Sequence, residues 1–259
     1  MYKRQIKIGA KLKAGEAVFY NKANEEMKFS SPVSGEVVDI IRGEKRKILA
    51  VKIQADKEQE YVDFAIKDPK ALKAEEIKNL LLASGCWSFI KQRPYDVIAN
   101  PAITPKAIFV SGYASAPLAA DCDYVLAGKE KELQAAVTAL SKLTSGEVHV
   151  SIGKSTNSPF SGLNNIVLHK VSGPHPSGNV GTQINKIDPV NKGEVVWTIN
   201  PQDLVIIGEL LLTGKFHAER IIALAGSSVA APKYYKTIIG ASIASLVEGK
   251  LKGDNNRVI

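Results

Sequence analysis

Hydrophobic and polar positions alternate over short runs in residues 1–55, and glycine or proline separates the runs. Turn residues lie at Gly15, at Pro32–Gly35 and at Arg42–Glu44. Apolar runs with a period of two, bounded by such turns, predict β-strands. We therefore predict an all-β domain over residues 1–58, built as a small barrel or sandwich.

Helical periodicity replaces this pattern after residue 68. Asp68 can cap a helix, Pro69 suits its first turn, and Gly85 can adopt the left-handed conformation at its end. We predict a helix between these residues that packs by one apolar face. That face holds Ala74, Ile77 and Leu81.

Strands and a second helix then alternate. The second helix is predicted in KEKELQAAVTALSKLTSG, where Gly146 marks the end and Leu133, Val137 and Leu140 share a face. A buried strand is predicted in KAIFVSG before this helix, and further strands are predicted in EVHVSIG and NIVLHKVSG after it. The order of elements predicts an α/β domain over residues 59–200 with a largely parallel sheet.

The third segment, residues 201–259, opens on a helix with clear end signals. Asn200 suits the N-cap and Pro201 the first turn, Asp203 complements the helix dipole, and Gly214 suits the end. Apolar residues surround the helix almost completely, which predicts burial between domains. ERIIALAG then predicts a strand, and GASIASLVEGKL predicts a short helix or turn. These elements begin a compact α+β unit that we expect to be truncated at its C-terminus.

Composition narrows the class of protein. Apolar residues make up 45% of the chain and charged residues 23%, as in ordinary soluble proteins. No run approaches the roughly eighteen apolar residues of a membrane span, and the N-terminus lacks the features of a secretory signal. Cys86 and Cys122 cannot form a disulfide framework or a metal-binding pair. We therefore expect a reducing cytoplasm and no iron–sulfur or structural zinc site.

The formal net charge of +8 comes from lysines that are interleaved with glutamates. The densest basic run, Arg42–Lys47, contains a glutamate, and no basic stripe with interleaved aromatic residues occurs. Nucleic-acid binding is therefore not expected. A merely soluble surface is favoured, and attraction to an anionic membrane surface or to an acidic partner stays open.

The stretch VSGPHPSGNVGT, residues 171–182, has glycines at the spacing of a phosphate-binding loop. Gly173 and Gly178 fit that spacing, but Asn179-Val180 stands where Lys-Ser/Thr is required. Gly153-Lys154-Ser155 follows a strand but lacks the first glycine of the motif, and GxGxxG is absent. We interpret the stretch as a rigid loop in which prolines fix φ and glycines permit tight turns.

The histidines form no recognisable catalytic pattern. His175 lies between two prolines and has no Ser, Asp or Cys partner at a known spacing. We expect it to serve the loop, and a role in binding small polar or aromatic headgroups is the alternative. His149, His169 and His217 are isolated in the sequence and are interpreted as structural.

Two further sets of residues have a chemical and a structural interpretation. Asp121 and Asp123 flank a cysteine, and such neighbours cap helices more often than they coordinate cations. Trp87, Phe89 and Trp197 are interpreted as core anchors rather than stacking platforms. No catalytic residue and no metal ligand is therefore assigned.

The N-terminal pattern is that of a biotinyl or lipoyl carrier fold. SPVSGEVVDI follows KIGAKLKAGEAVF, as in the hairpins of such carriers. A carrier needs a lysine at an exposed hairpin tip, and Lys22 is the candidate. Lys22 precedes Pro32 by ten residues and lacks the flanking acidic or methionine pattern. We predict the fold without the modification, and a carrier module stays an alternative.

Four segments carry a resemblance that covers essentially the whole chain, and the HPSG-x-VGT stretch is highly characteristic. They are KIGAKLKAGEAVFYNK, KFSSPVSGEVVDIIRGEKRKIL, VSGPHPSGNVGTQINKIDPVNKGEVVWTINPQDLVIIG and LLTGKFHAERIIALAGSSVAAPKYYKTIIGASIASLVEG. In this order they resemble the A subunit of the bacterial sodium-translocating NADH:quinone reductase. The resemblance implies an α/β multidomain fold with a barrel-sandwich hybrid domain, a Rossmann-like α/β domain and a ubiquitin-like β-grasp (SLBB) domain. It also implies a chain that is incomplete at both ends.

The family is similar to the C subunit of the Rnf complex and to the flavin subunit of complex I, which bind flavin through a glycine-rich segment. At the corresponding place this chain keeps Gly85, but Cys86 to Ile90 replace the glycines. Ala114 and Ser115 replace acidic residues of a second stretch. These replacements remove the close approach of backbone amides to a phosphate and the acidic side chains that would accept hydrogen bonds. The resemblance therefore implies no cofactor in this chain.

The resemblance also implies a function within a complex. The chain would be a peripheral subunit at the cytoplasmic face of the bacterial inner membrane, in contact with the membrane only through integral subunits. The complex would couple NADH oxidation by ubiquinone to sodium export, with NADH, flavins and an iron–sulfur centre on other subunits. An independent nucleotide-binding enzyme is the alternative. The candidates for a quinone or partner surface are His175, Ser177, Gly178 and Gly181.

Overall fold

The computed structural model of the chain describes residues 2–4, 6–154 and 157–258. Short antiparallel strands form its N-terminal part. Strands β1, β3 and β4 form one sheet, and β2, β5 and β6 form another. The inner faces share a core that includes Leu12, Val18 and Val37. The predicted all-β sandwich is confirmed. The strands are β1 (Tyr2–Arg4), β2 (Lys11–Leu12), β3 (Ala17–Asn21), β4 (Asn24–Ser30), β5 (Gly35–Arg42) and β6 (Ile48–Ala55).

A mixed sheet forms the middle of the chain. Its strands are β7 (Lys91–Arg93), β8 (Val97–Ile98), β9 (Ala107–Ser111), β10 (Val148–Gly153), β11 (Val167–Val171) and β12 (Val196–Thr198). The order is β11-β10-β9-β12-β7-β8. Strands β11, β10, β9 and β12 are parallel to one another, β7 pairs antiparallel with β12, and β8 pairs antiparallel with β7. The predicted largely parallel sheet is confirmed.

Helices cover both faces of this sheet. Along β9, Ile108 and Val110 face the large core shared with α3 and α5, whereas Ala107 and Phe109 face a smaller core under α4. This alternation gives the three-layer arrangement of a Rossmann-like domain. The helices are α1 (Ala74–Ser84), α2 (Cys122–Val125), α3 (Glu130–Leu140), α4 (Val180–Ile187), α5 (Pro201–Thr213) and α6 (Ile243–Val247), and Glu44–Arg46 and Cys86–Phe89 form 3-10 turns.

The predicted start of the first helix is wrong. Helix α1 begins at Ala74, where the backbone N–H of Lys73 donates to Glu76 Oε2 at 2.9 Å. Asp68 instead caps a separate turn through the N–H of Lys70. Lys142 Nζ holds three carbonyl oxygens of that turn at 2.7–2.9 Å, which keeps it apart from the helix. The predicted end is confirmed, since Gly85 is left-handed with φ 84°.

Gly146 does not end the second predicted helix, because α3 stops at Leu140. A Cβ atom at Gly146 would lie 2.2 Å from the carbonyl oxygen of Lys106. The glycine is therefore required by close contact between two loops and not by a helix end.

The predicted ends of helix α5 are confirmed. Asn200 Oδ1 accepts the N–H of Gln202 at 3.0 Å, Pro201 occupies the first turn, and Gly214 is left-handed with φ 68°. The helix is largely buried against α3, where a Cβ at Gly208 would lie 1.9 Å from the carbonyl oxygen of Glu132. The domain boundaries at residues 58 and 200 stay predictions.

A short hairpin and helix form the C-terminal unit. Strands β13 (Glu219–Leu224) and β14 (Lys233–Ile238) pair antiparallel, and α6 follows them. The strand predicted in ERIIALAG and the helix predicted in GASIASLVEGKL are both confirmed. Arg220 on β13 forms an ion pair with Asp203 on α5, which connects this unit to the α/β domain.

Candidate functional site

A cavity of about 780 Å³ opens at the carboxyl ends of β9 and β12. The chain passes from β9 through α3 to β10 and β11, and then returns through α4 to β12 on the other side of β9. Ligand crevices of open α/β sheets lie at such points of reversal. The cavity is lined by Ser111, residues 113–116, 178–182 and 198–203, and by Phe89, Lys91, Arg93, Ala120, Cys122 and Val125.

Two of the four residues predicted for a quinone or partner surface lie in the cavity wall, and two lie in the loop that leads to it. Gly178 and Gly181 line the cavity, whereas His175 and Ser177 lie in the loop that precedes them. Ser177 Oγ donates to the carbonyl oxygen of Gly173 at 2.9 Å. His175 Nδ1 lies 3.2 Å from Ser115 Oγ. The structure thus brings all four residues to one region.

Ser115 links the two loops of the cavity. Its Oγ accepts the N–H of Gly178 at 2.7 Å. A Cβ atom at Gly178 would lie 2.5 Å from Ser115 N and 2.7 Å from the carbonyl oxygen of Tyr113. Gly178 is therefore required by the close approach of the loops, although its φ is not positive. At Gly181 a Cβ would meet no atom within 4 Å, so that position faces open space.

A hydrogen-bonded polar pair, of which Gln183 is buried, supports the floor of the cavity. Gln183 is 3% exposed, and its Nε2 donates to Ser111 Oγ at 2.9 Å and to the carbonyl oxygen of Ser177 at 3.2 Å. Ser111 Oγ in turn donates to the carbonyl oxygen of Gly178 at 2.9 Å. Neither side chain has a role predicted from the sequence. The signal for Ser111 was its place at the end of a buried strand, where ligand crevices of parallel sheets lie.

Several hydrogen-bond donors line the cavity. The first N–H groups of an α-helix have no intrahelical partner, and Val180 and Gly181, at the start of α4, line the cavity. Lys91 and Arg93 extend from β7 into the same lining. Arg93 Nε lies 3.4 Å from Asp96 Oδ1, with the arginine side chain 30% exposed. These groups can therefore donate hydrogen bonds to a ligand with oxygen acceptors.

A buried carboxylate also lines the cavity. Asp203 lies in the first turn of α5 and forms a hydrogen-bonded ion pair with Arg220. Burial raises the pKa of the Asp203 carboxyl above its ordinary value, while Arg220 and Lys91 act in the opposite direction. The ion pair thus compensates in part for the burial of this charge.

The cavity also has apolar lining residues, and the cysteine in its lining is not a reactive thiol. Phe89 and Val125 contribute apolar surface, and the ring of Phe89 stacks on Phe216 at a centroid distance of 6.3 Å. Burial raises the pKa of the Cys122 thiol to about 12, and nearby aspartates act in the same direction. A neutral thiol is a poor nucleophile. The cavity is therefore suited to hold a ligand by contact and hydrogen bonding.

Of residues 86–90, only Phe89 lines the cavity. Cys86, Trp87 and Ile90 are fully buried in the large core. Trp87 Nε1 donates to the carbonyl oxygen of Ala99 at 2.8 Å, and the indole meets Trp197 edge to face at 5.4 Å. The interpretation of both tryptophans as core anchors is confirmed.

Asp121 and His217 lie outside the cavity wall. Asp121 Oδ1 accepts the N–H of Tyr124 at 3.1 Å, which confirms its interpretation as a helix cap. His217 packs on the ring of Tyr61 at 4.5 Å. In the half-motif Gly153-Lys154-Ser155, Ser155 lies outside the described residues. Within the described ranges, no group of three or more His, Cys, Asp or Glu residues is arranged to hold a metal ion.

Two histidines interpreted as isolated are in fact partners. His149 Nδ1 lies 3.0 Å from His169 Nε2. The strands β10 and β11 are neighbours, and Ser151 pairs with His169 in their parallel register. Side chains two residues apart on a strand share one face, so the register places both rings together.

Lys22 occupies the position that a carrier lysine would need. It lies in the exposed two-residue turn between β3 and β4. The expectation that this lysine is not modified stays a prediction.

Comparison with known proteins finds one family along the chain. The NqrA N-terminal barrel-sandwich hybrid domain matches residues 2–56, the NqrA second alpha/beta domain matches residues 72–216, and the NQRA C-terminal domain matches residues 221–259. None of the helices in the described part of the chain has the length and hydrophobicity needed to cross a bilayer.

Individual relatives are similar over nearly the whole chain. The A subunit of the Na(+)-translocating NADH-quinone reductase of Cellvibrio japonicus is 37% identical over 256 residues, which are 98% of this chain and 57% of that protein. The protein of the same name from Neisseria meningitidis serogroup A is 37% identical over 258 residues, 98% of this chain and 58% of that protein. The chain thus spans somewhat more than half the length of these curated relatives. A solved NAD+-reducing [NiFe]-hydrogenase aligns with 70% of this chain and 39% of its own, at a TM-score of 0.46 and 13% identity.

Proposed function

Because the chain belongs to the NqrA family, we propose that it is a peripheral part of a Na+-translocating NADH:quinone reductase and contributes to quinone interaction and subunit docking. The complex then couples NADH oxidation by quinone to Na+ export, and the chain lies at the cytoplasmic face of the bacterial inner membrane. NADH, flavins and the iron–sulfur centre belong to other subunits. This chain holds no cofactor and supplies no complete active site.

The cavity at the carboxyl ends of β9 and β12 is the observation that supports the quinone role. A quinone headgroup is a flat, largely apolar ring with carbonyl oxygens that accept hydrogen bonds. Phe89 and Val125 offer the apolar wall, and Lys91 and Arg93 offer donors to the oxygens. Small-molecule sites combine apolar walls with a few placed polar groups in this way, in volumes of roughly 300–1,000 Å³.

Photo-labelling of the assembled complex with a reactive quinone analogue tests this role. We expect labelling of peptides that contain residues 111–120 and 178–183, and competition by unlabelled ubiquinone. The Gly181→Leu variant should remove this label, because Gly181 lines the cavity and a Cβ there meets no atom within 4 Å, so that we expect the leucine side chain to occupy part of the cavity. Gly181→Ala is the matched control and should keep the label.

Two outcomes would contradict the proposal in different ways. Labelling confined to other subunits would leave this chain with a docking role alone. Labelling of this chain that is unchanged by Gly181→Leu would place the quinone outside the cavity. Assembly of each variant complex is checked by size-exclusion chromatography.

The position of Lys22 supports a second candidate function, that of a carrier module. The lysine lies exposed in the turn of the β3–β4 hairpin, where attachment of a prosthetic group would be possible. Intact mass of the protein from its native cells tests this function. A mass increase of a lipoyl or biotinyl group, lost in Lys22→Arg, would establish the carrier role.

A further inference from the structure

The turn between β5 and β6 concentrates positive charge at one end of the N-terminal domain. Residues 42–47, RGEKRK, contain four cationic residues and one anionic residue. We call residues 41–49 the basic hairpin. Lys45 and Lys47 are exposed, and no ion pair involves either of them among the described residues. The 3-10 turn at its tip, Glu44–Arg46, has no extensive packing with other elements in the described ranges.

Apolar side chains lie at the base of this charged turn. Ile41 is 36% exposed and Leu49 is 61% exposed, while Ile40 beside them is 8% exposed in the core. Leu49 lies against Gly43, where its side-chain carbons are 3.1–3.3 Å from the position of a Cβ. Exposed leucine and isoleucine therefore adjoin the cations on one short segment.

Cations beside exposed apolar side chains match the chemistry of an anionic membrane surface. Lipid phosphates attract Lys and Arg near the surface, and apolar side chains enter the boundary of the acyl region. An acidic protein surface would match the cations as well. However, protein interfaces are enriched in aromatic anchors, and residues 35–55 contain no aromatic residue. The composition of the hairpin thus favours the lipid surface.

From these observations we infer that the basic hairpin docks the chain directly on an anionic lipid surface. The cations supply long-range attraction, and Ile41 and Leu49 supply shallow apolar contact. This docking uses a surface that is separate from the cavity and does not depend on quinone binding.

Co-sedimentation of the purified chain with vesicles tests the inference. The chain should bind vesicles of phosphatidylglycerol and phosphatidylcholine at low salt, and should bind vesicles of phosphatidylcholine alone far more weakly. The double variant Lys45→Glu/Lys47→Glu should weaken binding about thirtyfold or more, since each surface cation contributes about 1 kcal/mol and 1.4 kcal/mol is tenfold. The matched control, Lys131→Glu/Lys186→Glu on α3 and α4, changes the net charge equally and should weaken binding by no more than about threefold.

A second variant separates apolar contact from charge. Leu49→Ser should lower the binding that remains at high salt, where screening weakens the attraction of the cations. Leu118→Ser is the control, because Leu118 is also exposed, at 68%, but lies in the loop after β9. Circular dichroism and thermal melting verify that each variant is folded.

Three results would overturn the inference. Equal binding to both kinds of vesicle would remove the role of lipid charge. Equal loss in the hairpin variant and in the control would show a general effect of net charge. Absence of vesicle binding, together with weaker assembly of the hairpin variant into the complex, would assign the hairpin to an acidic protein surface instead.

Discussion

His149 Nδ1 and His169 Nε2 lie 3.0 Å apart on adjacent parallel strands, with the ring of Phe109 at 4.8 Å from that of His149. Burial lowers the pKa of both imidazoles, and for His149 the charge of His169 lowers it further. Asp188 and Glu147 act in the opposite direction on His149 with smaller effect. At the same pH, the two imidazoles are therefore neutral in a larger fraction of folded molecules than of unfolded molecules.

The pair should make stability depend on pH. Below the ordinary histidine pKa of 6.5 the unfolded chain binds more protons than the folded protein at these two sites. The free energy of unfolding should therefore fall as the pH falls from about 7 towards 5. Above this window the full contribution of the neutral pair to stability should be present. Urea unfolding at several pH values measures the slope. His149→Asn and His169→Asn should each reduce it, and a wild-type slope in both variants would contradict the prediction.

Gly178 and Gly181 should respond differently to the same substitution. Gly178→Ala places a methyl group 2.5 Å from Ser115 N and should destabilise the protein by about 1–3 kcal/mol, as overpacking does. Gly181→Ala meets no atom within 4 Å and lies in the first turn of α4, so stability should be equal or slightly higher. Urea unfolding at constant pH measures both. Equal destabilisation would show that the glycines serve something other than loop packing.

His175 should serve geometry and not acid–base chemistry. The exposed imidazole contacts Ser115 Oγ, and this contact supports the loop rather than a reacting group. His175→Ala should leave quinone reductase turnover of the assembled complex within a few-fold, whereas loss of a general acid or base costs about 10²–10⁴-fold. A hundredfold fall in turnover with an intact complex and an unchanged melting temperature would assign the loop to the chemistry.

Arg220 should matter through the charge that it neutralises. Arg220→Met leaves the Asp203 carboxylate buried without its partner and should lower the free energy of unfolding by about 3 kcal/mol at neutral pH. Without the cation the pKa of Asp203 rises further, so the loss should shrink as the pH falls and the carboxyl group binds a proton.

An exposed ion pair on the same hairpin provides the control for Arg220. Lys236 and Glu219 lie 2.7 Å apart with side chains 67% and 51% exposed. Lys236→Met should therefore change the free energy of unfolding by at most about 1 kcal/mol. A loss in Arg220→Met that is no larger than this, or that grows at low pH, would show that the Asp203 pair is not the source of the effect.

Local signals predicted the elements of this fold well. The strand of residues 107–111 follows from a continuous apolar run and the strand of residues 148–153 from alternating apolar positions, and the ends of α5 follow from Asn200 and Gly214. These features depend on residues a few positions apart, because capping, backbone dihedral preference and periodicity are local properties. The family resemblance likewise rests on sequence alone, and the domain matches confirm it.

Contacts between distant residues decided the rest. Lys142 separates the Asp68 turn from α1, and Gly146 and Gly178 are required by backbone atoms of Lys106 and Ser115. No local pattern signals such contacts, because they depend on which loops the sheet order brings together. The same holds for the histidine pair and for the cavity, whose walls follow β9 and β12. The sequence thus determined the elements and the family, and the parallel register of the sheet decided which side chains meet.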